Sequence, residues 1–105
     1  LLDEGTLFVA QFGKEGSGTW VALVHGQDGL TKENGFEDQA YILINARLAA
    51  DFVKATPMDR AEWVTVHPKT KEVYVALTNN ALRGDRFPVD DANPRAKNSF
   101  GHILI

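Results

Sequence analysis

The 105 residues suit one domain with a modest core. At 44% hydrophobic and 24% charged they describe a folded chain rather than a disordered one. A formal net charge of -3 argues against a nucleic-acid-binding surface and a polybasic membrane patch, and the absence of cysteine removes disulfides and thiol chemistry. No stretch approaches the roughly 20 apolar residues of a membrane helix.

The opening Leu1-Leu2-Asp3-Glu4-Gly5 has no basic region followed by an apolar run, so no signal peptide is expected there. Thr6 to Phe12 is β-branched and aromatic between Gly5 and Gly13, which predicts a strand. Lys14-Glu15-Gly16-Ser17-Gly18 is built of turn formers, and Thr19 to Val24 returns as a second strand of an antiparallel hairpin. His25 to Gly35 is polar, holds three glycines and lacks a period, so it reads as a loop.

Phe36 to about Val53 predicts one main helix. Phe36, Ala40, Ile44, Leu48 and Phe52 recur every four residues, and Asn34 followed by Glu37 has the spacing of an N-cap and its reciprocal acceptor. Thr56-Pro57 ends it. Glu62 to Val66 and Val73 to Leu77 predict a second hairpin around the turn formers His67 to Lys71, with Val64 and Val66 facing the alternation of Val73, Val75 and Leu77. Thr78 to Ser99 is a long loop with four asparagines, and Gly101 to Ile105 is a last strand. The fold class expected is mostly β with one main helix (α+β), a single domain over 1–105 made of antiparallel hairpins. Both ends read as cut, so the sequence is expected to have continued beyond them.

The densest unusual polarity is Thr56 to Trp63. Glu62 lies at the start of an apolar strand, where a carboxylate is uncommon unless paired or bound to a cation. Its hard oxygens suit calcium, magnesium or ferric iron. A strand-end glutamate facing water, or paired with Arg60 or Lys71, fits the same position. Asp59 and Arg60 read as a turn with a local ion pair. Trp20 and Trp63 read as core or partner-facing aromatics, and Arg83 and Arg86 as solvent-exposed, with the meeting of a phosphate or sulfate by their guanidinium forks as the alternative. Asn79 and Asn80 follow a strand end, where turn formation is the default. Asp90-Asp91-Ala92-Asn93 crowds carboxylates without the ligand spacing of a calcium-binding loop. His25, His67 and His102 have no short metal-ligand spacing, and nucleotide-binding and hydrolase motifs are missing.

Taken together, several segments resemble the secreted bacterial alkaline phosphatase family PhoX. They are Asn45 to Asp51, Ala55 to Trp63, His67 to Tyr74, Leu77 to Asn80, Asp90 to Ala96 and Phe100 to Ile103, with Gly5 to Ala10 similar to a propeller strand of the family. The resemblance implies part of a β-propeller exported to the periplasm or beyond, and hydrolysis of phosphomonoesters with calcium and iron. It makes Glu62, directly before Trp63, the expected metal ligand; no residue is assigned a catalytic role. Ala61 departs from the proline common between Arg60 and Glu62, which loosens φ there. The cysteine and further carboxylates of the family's cluster are not in these residues, so the piece is expected to be inactive alone. A non-catalytic propeller scaffold or binding segment is the alternative. Neither nucleic acid nor membrane is expected as a partner, and exposed sheet edges are expected to invite self-association.

Overall fold

A computed structural model describes residues 4–105; the opening Leu1-Leu2-Asp3 lies outside them. The described residues fall into two compact units. One is Ser17–Thr56 with the segment up to Gly13, and the other is Lys14–Gly16 with Pro57–Ile105.

In the first unit β1 (Phe8–Phe12) pairs antiparallel with β2 (Gly18–Ala22), with Phe8 opposite Ala22 and Ala10 opposite Trp20. The expected hairpin is therefore present. After it the polar stretch is ordered rather than open. The Gly26 N–H donates to Leu30 O at 2.9 Å, and Gln39 holds the start of the stretch by accepting from the His25 N–H at 2.7 Å and donating to Leu23 O at 2.9 Å. This turns Leu30 inward, where it is fully buried beside Leu23.

Two short helices replace the single helix expected over 36–53. They are α1 (Gln39–Ile44) and α2 (Ala46–Phe52). The break falls at Asn45, at φ -107° and ψ 39°, whose side-chain amide donates to Tyr41 O at 3.0 Å. Asparagine competes for backbone groups in this way, which is why it disfavours helix interiors. The break also changes which face is buried. Leu23, Leu30, Phe36, Ile42, Ala49 and Val53 form the core, with Val9, Val21 and Ala46 packed against it. Ile44, Leu48 and Phe52, expected on the inner stripe, are exposed. The N-cap is Asp38, whose carboxylate accepts from the Tyr41 N–H at 2.8 Å. The expected cap Asn34 instead donates to Gly29 O at 2.9 Å, and Glu37 pairs with Lys32. Beyond α2 the Thr56 hydroxyl accepts from the Phe12 N–H at 2.7 Å and the Thr56 N–H donates to Ala10 O at 3.0 Å, so the chain closes on the outer edge of β1.

The second unit is a three-stranded antiparallel sheet, β3 (Ala61–Val66), β4 (Val73–Leu77) and β5 (His102–Leu104), in that order. Val64 lies opposite Val75 and Val66 opposite Val73, as the alternation predicts. Between Ala61, opposite Leu77, and Trp63, opposite Ala76, the register shifts, and Glu62 is the extra residue of this bulge. The His67 turn closes on its own side chain, whose Nδ1 accepts from the Thr70 N–H at 3.1 Å.

The expected long loop 78–99 is a folded lobe. Isolated bridges join Asn80 to Asn98, Arg83 to Phe87 and Asp90 to Asn93. At its end Gly101 has φ +74°, and a Cβ there would stand 2.1 Å from Leu77 O. Only glycine lets β5 start this close to β4.

Candidate functional site

Asp59 and Arg83 form the polar centre of the second unit. Both side chains are 0% exposed, and Arg83 Nε donates to Asp59 Oδ1 at 2.8 Å. The same Oδ1 accepts from Asn80 Nδ2 at 2.9 Å, and Oδ2 accepts from Asn98 Nδ2 at 3.2 Å. Arg83 Nη2 also donates to Pro57 O at 2.6 Å and Nη1 to Pro88 O at 2.9 Å, with Asp90 Oδ2 3.7 Å from Nη1. The Asp59 N–H donates to Asn93 Oδ1 at 2.8 Å. Among the described residues no buried side-chain nitrogen or oxygen lacks a partner. A buried charge is tolerated on these terms. Burial pushes the Asp59 carboxyl up, but the hydrogen bonds from Arg83, Asn98 and Asn80 and the Arg83 charge outweigh it, and the net direction is down from the usual carboxylate value.

This arrangement corrects two expectations. Asp59 does not pair with Arg60, and Arg83 is not in solvent. Arg60 donates instead to Asn79 Oδ1 at 2.8 Å, while Asn80 turns into the buried centre. Arg86 lies over the Phe87 ring, 5.5 Å from its centroid. The crowded carboxylates resolve as a turn. Asp90 Oδ1 accepts from the backbone and side-chain N–H of Asn93 at 2.7 and 2.8 Å, and Asp91 Oδ2 from the Glu15 N–H at 2.8 Å.

Three residues after Asp59, Glu62 is exposed on the bulge of β3. It lines a shallow concavity of about 220 Å³ with Ala61, Trp63, Val64 and Val75. Among the described residues no ion pair ties it to Arg60 or Lys71. Trp63 is 74% exposed and Trp20 70%, so neither belongs to the core of its unit. The histidines serve the fold: His25 Nε2 meets Phe36 O at 3.0 Å, and His102 Nε2 donates to Ala92 O at 2.8 Å while its Nδ1 accepts from Asn98 Nδ2 at 3.1 Å.

The described residues gather no group of three or more histidine, aspartate and glutamate side chains around one point. Glu62 fits a hard cation as one oxygen ligand. The family described as alkaline phosphatase PhoX matches residues 1–105.

The chain belongs to the PhoX family.

PhoX from Pseudomonas fluorescens, solved in complex with vanadate, a transition-state analogue, is 50% identical to it. The two superpose with a TM-score of 0.89 over 97% of this chain and 19% of that chain. No curated protein matches. The mostly antiparallel architecture with its two short helices is thus a piece of the PhoX fold, as the resemblance implied.

The motif that carried the resemblance, Ala55 to Trp63, contains the buried Asp59 as well as Glu62. Sequence reasoning missed the Asp59–Arg83 pair because its partners lie 24 residues apart along the chain. The signal available was the run of asparagines and prolines around Arg83, which supply most of the partners.

Proposed function

We propose that residues 1–105 are one portion of a larger PhoX β-propeller enzyme that hydrolyses phosphate monoesters. The observation that carries this reading is the 50% identity, along 97% of the chain, to a PhoX solved with vanadate, a transition-state analogue. Because the chain spans 19% of that structure, the site is completed by residues beyond these, and the portion alone is inactive. The parent acts in the periplasm or outside the cell, in keeping with the family's exported members. No helix among the described residues is long and apolar enough to cross a membrane.

In this reading Glu62 is a ligand of the calcium and iron group that the family implies. Its exposed carboxylate on a bulge supports the assignment, since bulges re-aim a side chain away from the regular ladder. A cation bound there supplies charge neutralisation at a phosphoryl oxygen. The chain's own contribution is to hold the carboxylate in place and to present Trp63 and Val64 beside it as an apolar wall. Isolated from its parent, the chain self-associates through the open faces of β3 and β5, where Trp63, Val64, Val66 and Ile103 are exposed.

The test is phosphomonoesterase activity of the full-length parent on p-nitrophenyl phosphate, before chelation, after it, and after calcium is returned. Loss and recovery of turnover are expected. A folded parent that stays inactive with every cation supplied would make the chain a scaffold segment instead.

A further inference from the structure

The chain enters β3 from a segment held at Pro57, Asp59 and Arg60. Pro57 O accepts from Arg83 Nη2 at 2.6 Å and from Asn93 Nδ2 at 3.3 Å. The Asp59 N–H is held by Asn93, and its carboxylate by Arg83, Asn80 and Asn98. Arg60 O accepts from the Thr78 N–H at 3.0 Å, and Arg60 Nη1 donates to Asn79 Oδ1 at 2.8 Å. Two residues later the ladder loses register, and Glu62 stands at that irregularity.

A regular ladder fixes its residues through paired hydrogen bonds; a bulge does not fix the extra one. The orientation of Glu62 must then come from the segment before it and the strand after it. A buried ion pair contributes little net stability compared with apolar packing of the same volume, so stability alone is a weak reason for Asp59 and Arg83. Geometry is a stronger one, since a metal ligand must be held within about 0.5 Å of its working position.

We infer that the buried Asp59–Arg83 pair, with Asn80, Asn93 and Asn98, is a positioning device that sets the bulge of β3 and so the direction of the Glu62 carboxylate. The inference rests on the reading of Glu62 as a cation ligand. Asp59 and Arg83 act through the backbone and touch neither substrate nor metal.

The test is calcium titration of the chelated full-length parent, with a thermal melt of each variant. Asp59→Asn keeps the shape and removes the charge, and is expected to weaken calcium binding by roughly 10–100-fold, the usual cost of losing support behind a ligand. Asn80→Ala, a milder change that survives if Asp59→Asn does not fold, is expected to weaken it less in the same direction. Ile42→Ala removes buried apolar volume from the other unit and is expected to lower the melting temperature while leaving calcium affinity unchanged. Glu62→Ala, run alongside, is expected to lose the site. If Glu62→Ala loses calcium while Asp59→Asn and Asn80→Ala bind it normally, the positioning role is wrong and the ligand assignment stands. If Ile42→Ala weakens calcium as much as Asp59→Asn, the effect is general destabilisation and the inference is overturned. Normal calcium binding by Glu62→Ala removes the ligand assignment and the positioning role together.

Discussion

Asp59 and Arg83 are joined 2.8 Å apart with both side chains withdrawn from solvent, and between them they gather Asn80, Asn98, Pro57 and Pro88. Removing Arg83 leaves the buried Asp59 carboxylate without its ion-pair partner, whereas Arg83 also has Asp90 Oδ2 at 3.7 Å. Arg83→Leu is therefore expected to destabilise the protein by about 3–5 kcal/mol, read by urea unfolding. Exposed Arg86→Leu is expected to change stability by less than about 0.5 kcal/mol.

The same pair makes stability depend on pH in one direction. The folded Asp59 carboxyl titrates below its unfolded value of about 3.9, so the pair's contribution is fully present above that value. It is lost as pH falls through the unfolded value toward the depressed folded one. Acid unfolding followed by near-ultraviolet circular dichroism is expected to be less steep in Asp59→Asn than in the unaltered protein below about pH 4.

Gly101 is expected to tolerate no side chain. A Cβ would stand 2.1 Å from Leu77 O, and the backbone is at φ +74°. Gly101→Ala is expected to cost more than about 1 kcal/mol by thermal unfolding, because strain and clash add. Gly26→Ala, also at positive φ but with nothing within 4 Å of its Cβ, pays only the first term and is expected to cost less.

The cap of α1 separates two readings of the same segment. Asp38→Ala removes the acceptor for the Tyr41 N–H and is expected to cost about 1 kcal/mol. Asn34→Ala loses one bond to Gly29 O and leaves the cap intact, so it is expected to cost less.

Much of this fold was legible because strands carry local signals. Val64 and Val66 met Val75 and Val73 as their alternation required, and the glycines around Thr6–Phe12 bounded the first strand. The helix was legible in type but not in continuity. Period counting cannot see that the Asn45 amide reaches Tyr41 O, and the stripe through Ile44 and Leu48 went to the exposed side as a result. The polar centre was the least legible part. Asp59 beside Arg60 invites a local pair, whereas the fold chooses Arg83, a partner brought near only by the lobe over 78–99. Glu62 stood out by being a carboxylate at an apolar strand, but its bulge depends on register with β4, which no local pattern records.

Glu62 is proposed to hold a cation in the full-length parent. The most direct measurement compares the full-length parent with its Glu62→Ala variant for bound calcium and iron by elemental analysis, together with phosphomonoester turnover. The account predicts a folded variant that has lost metal and turnover together. A variant that keeps its full metal content and full turnover would contradict it.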